Sequence, residues 1–192
     1  WILSRVLWAL TTGDNNVAVG FNSLDLNTTG SSNTSIGKDS LKSNTTGAGN
    51  TSVGMGTLYS NTTASYNTAI GSLALDTNTT GASNTAVGYD ALTANSSGAN
   101  NSALGKDALL SNTTGAGNVS LGMSAMYSNT TGDFNIGIGR STLQNNTTAN
   151  ENVAVGYLAL GENTTGSDNT AVGAFALDAN TTGAANTASG YL

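Results

Sequence analysis

A glycine returns every 17 residues, at Gly20, Gly37, Gly54, Gly71, Gly88, Gly105, Gly122, Gly139, Gly156, Gly173 and Gly190, with no insertion or deletion between copies. A fixed period near 20 is the mark of a solenoid, whose unit cannot bury its own apolar face and stacks on its neighbours. Helical hairpin repeats need more than about 30 residues, so this unit is too short for them. A β-solenoid coil fits. We therefore expect an all-β chain, a parallel β-solenoid (β-roll or β-helix) with 17-residue coils, about eleven in number. At about 4.8 Å per coil, this makes a rod on the order of 50 Å long.

Other positions hold the same register. Four residues before each glycine stands an asparagine: Asn16, Asn33, Asn50, Asn67, Asn84, Asn101, Asn118, Asn135, Asn152, Asn169 and Asn186. Stacked in register, they are expected to form a ladder of side-chain amides. Four residues after the glycine stands an apolar row: Leu24, Leu41, Leu58, Leu75, Leu92, Leu109, Met126, Leu143, Leu160 and Leu177. This row is the expected core. The three residues before the glycine, such as Thr85-Ala86-Val87, alternate and favour β-branched side chains, as a strand does. Val17 and Val19, or Ile136 and Ile138, share one strand face. They are expected to point inward against the leucines, with Ala18, Ser35 and Ala86 on the other face. The glycine then supplies backbone angles closed to other residues and turns the corner.

Seven residues after the glycine comes a second asparagine: Asn27, Asn44, Asn61, Asn78, Asn95, Asn112, Asn129, Asn146, Asn163 and Asn180. It opens a turn of the Asn-Thr-Thr-Gly kind, good turn chemistry in its own right. Each also stands in an Asn-x-Ser/Thr sequon, so a row of N-linked glycans is a candidate modification. O-linked sugar on the threonine pair is another.

Composition narrows the function classes. Only 8% of residues are charged, net charge is −6, and there is no His, Cys or Pro. Ordinary domains carry about 25% charged residues, so solubility here rests on Thr, Ser and Asn. Without His or Cys, nucleophilic and metal sites built on them are excluded. The carboxylates move between coil positions, with Asp39, Asp90 and Asp107 at one and Asp25, Asp76 and Asp178 at another. A calcium-binding nonapeptide solenoid would keep its Asp in fixed register. Arg5, Lys38, Lys42, Lys106 and Arg140 are scattered, which argues against nucleic acid. No enzyme activity and no cofactor are expected.

Residues 1–10 depart from the consensus and are the most hydrophobic ten in the chain. They are too few to span a bilayer, which takes about 20 as a helix. We read them as a cap or docking segment ahead of a repeat domain over 11–192. In register, Leu7 falls on the leucine position and Thr11-Thr12-Gly13 on the turn. Trp1, Ile2, Leu3 and Trp8 at this end, with Tyr191 and Leu192 at the other, are candidate assembly residues. An open sheet edge invites pairing, and head-to-tail contacts build filaments. A slower rhythm overlies the coils. Gly37 to Ile70 resembles Gly105 to Ile138, a period of 68 residues. One copy carries Met55, Tyr59 and Tyr66, the other Met123, Tyr127 and Phe134, as candidate lateral contacts between rods.

The blocks Asn-Asn-Val-Ala-Val-Gly at 15–20 and Glu-Asn-Val-Ala-Val-Gly at 151–156 resemble the head repeat of YadA-type trimeric autotransporter adhesins. Asn-Thr-Ala-Val-Gly-Tyr-Asp-Ala-Leu at 84–92 is similar to repeats of phage tail fibres and bacterial surface proteins. The resemblance covers residues 11–192. It implies a parallel β-roll, often trimeric, on a cell or virion surface, with adhesion as its task. The expected function is an extracellular structural or adhesive fibre subunit that assembles with itself, end to end or side by side. One alternative is a tail-fibre or adhesin head that binds glycans or another host-surface ligand. A second is an ice-binding solenoid, suggested by threonine ranks such as Thr34, Thr51, Thr68 and Thr85. Because Val17, Val119, Ile136 and Val153 interrupt that rank, it is expected to belong to the core. No membrane span is expected.

Overall fold

Three residues are all that each coil extends before its glycine bends the chain. In the computed structural model, which describes residues 6–191, the strands are β1 (Val17–Val19), β2 (Thr34–Ile36), β3 (Thr51–Val53), β4 (Thr68–Ile70), β5 (Thr85–Val87), β6 (Ser102–Leu104), β7 (Val119–Leu121), β8 (Ile136–Ile138), β9 (Val153–Val155), β10 (Thr170–Val172) and β11 (Thr187–Ser189). They form one parallel sheet in chain order. Each residue pairs with the one 17 further on, as Thr85 with Ser102 and Val87 with Leu104. The chain is therefore an all-β solenoid of superposed 17-residue coils. Trp1, Ile2, Leu3 and Leu192 lie outside the described residues.

Two tight turns carry each coil away from the sheet. In the coil after β6, the Ala108 amide donates to the Gly105 carbonyl at 3.3 Å and the Asn112 amide to the Leu109 carbonyl at 3.2 Å. The backbone reverses its twist repeatedly here, with φ of 139° at Gly105, 58° at Asp107 and 51° at Leu109. At Gly105 a side chain is excluded twice, because a Cβ would also lie 2.6 Å from the Gly122 carbonyl of the next coil. Leucine is a poor residue for the left-handed region, at a penalty of roughly 1–2 kcal/mol. Full burial of the same side chain contributes about 1.5–3 kcal/mol, so burial wins. Leu24, Leu41, Leu58, Leu75, Leu92, Leu109, Met126, Leu143 and Leu160 are all fully buried. Leu177 and Leu7 pack on this column from the ends. Leu7 also keeps the left-handed backbone (φ 51°), and Thr11 donates to the Thr28 carbonyl at 2.9 Å. Residues 6–13 thus hold the register of the coils above them.

The strand faces run opposite to the sequence expectation. Ala18, Ser35 and Ala86 point inward, while Val17, Val19, Ile136 and Ile138 point out. Val17 and Val19 are each 49% exposed. The reason is width. The leucine column fills most of a thin interior, leaving room at the strand centre for little more than a Cβ. Across from it, three residues after the glycine, only Ala, Ser or Thr occurs. Where both positions are polar they bond each other: Ser23 Oγ to Ser35 Oγ at 2.8 Å, and Ser52 Oγ to Thr57 Oγ1 at 2.6 Å. Where the neighbours are larger the strand centre shrinks to Gly137, whose added Cβ would lie 3.0 Å from Thr142 Oγ1 and 3.3 Å from Met126 Cγ.

Candidate interaction surfaces

The asparagines hold the coil closed. The Asn84 backbone amide donates to Asn67 Oδ1 at 2.9 Å, and its Nδ2 donates to the Gly98 carbonyl at 2.8 Å. Asn95 Nδ2 donates to the same carbonyl at 2.9 Å and to Asn78 Oδ1 at 2.8 Å. One carbonyl in each coil thus takes two amides, one from each ladder, from Gly30 to Gly183. Asn33 through Asn169 in the first ladder are fully buried. Asn16 is half-buried and Asn186 exposed at the ends. The second ladder corrects the glycan expectation. Asn27, Asn44, Asn61, Asn78, Asn95, Asn112, Asn129, Asn146 and Asn163 are fully buried, and Asn180 is half-buried. From Asn44 onward each Nδ2 spends both hydrogens, as Asn44 does on Asn27 Oδ1 and the Gly47 carbonyl. A sugar on that nitrogen would displace a rung and has no way out of the folded coil. The sequon threonines divide likewise. Thr45 Oγ1 donates to the Thr62 carbonyl and Thr113 Oγ1 to the Thr130 carbonyl, both at 3.0 Å.

The outer face of the sheet is a regular surface. All its side chains are uncharged. From β2 to β5 each rung presents a threonine and a β-branched aliphatic: Thr34 with Ile36, Thr51 with Val53, Thr68 with Ile70, Thr85 with Val87. From β7 to β9 both positions are aliphatic: Val119 with Leu121, Ile136 with Ile138, Val153 with Val155. Leu104 (52%) and Val172 (44%) extend this block on either side. The threonine rank expected in the core therefore lies on the surface.

The two aromatic clusters are also at the surface. Tyr66 is 71% exposed and Phe134 63%. Each ring lies against a glycine one coil earlier, Gly49 or Gly117. Met55, Tyr59, Met123 and Tyr127 are exposed on the turn side. Met55, Gly56, Tyr59 and Leu73 line a shallow groove of about 300 Å³ between Asp39 and Asp76. A Cβ at Gly56 would sit 2.9 Å from Leu73 Cδ2, so glycine opens the groove. On one rim Asp39 accepts from Asn22 Nδ2 at 2.8 Å and lies 3.6 Å from Lys42 Nζ. Lys42 reaches the Tyr59 hydroxyl at 3.3 Å, nearer than the ring centre at 5.1 Å. That bond to Tyr59 holds the ammonium above its ordinary pKa, against the opposing effect of burial. On the other rim, burial and then the charge of Asp90 raise Asp76 above the usual carboxylate value. Such a groove accepts an uncharged or cationic group with an apolar face.

Sequence reasoning missed one feature here. Tyr157, Phe175 and Tyr191 stack edge to face, with ring centres 5.1 and 5.8 Å apart, and Arg140 lies 5.7 Å from the Tyr157 ring. The signal was the aromatic one or two residues after successive strand glycines. Trp8 (73%) and Tyr191 (71%) are both largely exposed.

Among the described residues, no group of three or more carboxylates could hold a metal ion. Among the same described residues, no helix is long and apolar enough to cross a membrane. No family model, no curated protein and no solved structure matches the chain.

Proposed function

We propose that the chain is an extracellular structural rod, the subunit of a fibre or adhesive appendage, and that copies join along the outer face of the sheet. The observation that carries this is the uninterrupted aliphatic block on β7, β8 and β9, flanked by Leu104 and Val172. A regular apolar surface of this kind on a soluble rod marks an interaction site. The resemblance to adhesin heads and tail fibres supports the same reading, as does the absence of charge from this face.

Area decides how many copies are needed. Eleven rungs at about 4.8 Å, with a face about 10 Å wide, give about 500 Å² per rod. A pair would bury about 1,000 Å², the lower limit for a specific interface. Bundles of three or more rods are therefore favoured, with clusters such as Met123, Tyr127 and Phe134 adding contact area at the flanks. Sedimentation of the chain beside the double variant Leu121→Lys/Ile138→Lys tests this. Assemblies are expected for the parent chain and single rods for the variant. A folded parent that stays single at high concentration would overturn the reading, and so would a variant that assembles unchanged.

A further inference from the structure

The two threonine ranks differ in what their hydroxyls do. Turn threonines such as Thr45 and Thr113 spend theirs on the next coil's carbonyl. The hydroxyls of Thr34, Thr51, Thr68 and Thr85 bond no protein group among the described residues. They stand outward, one per rung, on four consecutive strands paired without a bulge. Beside each is the branched aliphatic of Ile36, Val53, Ile70 or Val87. No charge interrupts the array.

From this we infer that the outer face of β2 to β5 binds ice. This goes beyond the assembly reading, which is carried by the aliphatic rungs β7 to β9; a bundle joined along all eleven rungs would cover β2 to β5 as well, so ice binding belongs to the single rod. A solid of ordered water offers no charge and no pocket, so its partner must be flat, stiff and periodic. Parallel strands spaced about 4.8 Å apart supply the period. The buried leucine column and two amide ladders behind the sheet supply stiffness, so little ordering entropy is lost on binding. Unspent hydroxyls can hold bridging waters in place. The methyl groups between them are wetted by waters that bond one another, because they offer no competing partner. A charged side chain would orient water around itself and break the pattern.

A second threonine rank provides the control. Thr46, Thr63 and Thr80 are also exposed in register, but they lie on a turn with no second rank of branched aliphatics beside them. The test is thermal hysteresis, with ice-crystal shape recorded under the microscope. It compares the full chain with Thr51→Lys/Thr68→Lys and with Thr46→Lys/Thr63→Lys, each checked for folding by circular dichroism. The parent chain should hold ice below its melting point and facet the crystal. The strand pair should lose both effects and the turn pair should keep them. If the lysine strand pair fails to fold, Thr51→Tyr/Thr68→Tyr serves instead, since tyrosine suits a strand but stands above the plane. A folded chain without hysteresis, measured both in the parent and in the Leu121→Lys/Ile138→Lys variant that keeps rods single, overturns the inference. So does loss of activity in the turn pair, or full activity in the strand pair. Assembly measured on the same samples reports separately on the bundle reading.

Discussion

Each coil depends on a few residues whose surroundings would not forgive a change. Asn95 bonds Asn78 Oδ1 and the Gly98 carbonyl from a fully buried position. Asn95→Ala strips both acceptors of one donor, and each buried polar group left short costs about 1–3 kcal/mol. Asn186→Ala, at an exposed rung, should cost far less. Urea unfolding of the two variants measures the difference, and equal midpoints would contradict the closed-coil role. Leu92→Ala should destabilise by about 2–5 kcal/mol, as large cavities do, and alanine keeps the Cβ, so the left-handed backbone there (φ 53°) gains no relief. Asp76 gives a pH signature. Burial and then Asp90 raise its pKa in the folded chain above the ordinary 3.8. The folded state therefore holds this proton more tightly than the unfolded state does. That contribution to stability is lost as pH rises from the ordinary carboxylate value through the raised one. Asp76→Asn should melt above the parent at about pH 7 and level with it at about pH 3. A parent more stable than the variant at neutral pH would contradict the environment described.

At the scale of the coil, the period made the stacking legible, because identical residues 17 apart can superpose only if the chain winds once per repeat. What could not be read was the direction of the strand side chains. Alternation says that Val17 and Val19 share a face but not which face is inside. The usual rule puts β-branched residues inward. Here it loses to the leucine column, which leaves space for Ala86 or Ser35 and no more. The sequons misled for a related reason. Asn-Thr-Thr is surface chemistry when read locally, yet the superposed coils bury Asn112 under its neighbours. The groove at Gly56 was illegible because it depends on Leu73, one coil on, and the Lys42–Tyr59 pair on its rim likewise joins neighbouring coils. Register gives a direct test. Deleting residues 85–101 removes one whole coil and should leave a folded rod shorter by about 4.8 Å. Deleting 85–100 shifts every later side chain out of line and should abolish cooperative melting. Equal stability of the two deletions would show that register does not hold the coils together.

Over the whole molecule each coil touches only its neighbours along the axis, and cohesion is a sum of nearly identical interfaces. The same repetition that builds the core copies one surface pattern onto every rung. The sheet face therefore grades from threonine-bearing at β2 to aliphatic at β9. Both functional readings rest on those side chains pointing away from the interior. Electron spin distance measurement with nitroxides on Val53→Cys and Leu121→Cys tests this most directly. The two positions are 68 residues apart in sequence and occupy the same outward site four coils apart. Superposed coils predict one narrow distance of about 19 Å between the labelled backbones. A broad distribution, or a separation well beyond that, would contradict the stacked solenoid and every surface argued from it.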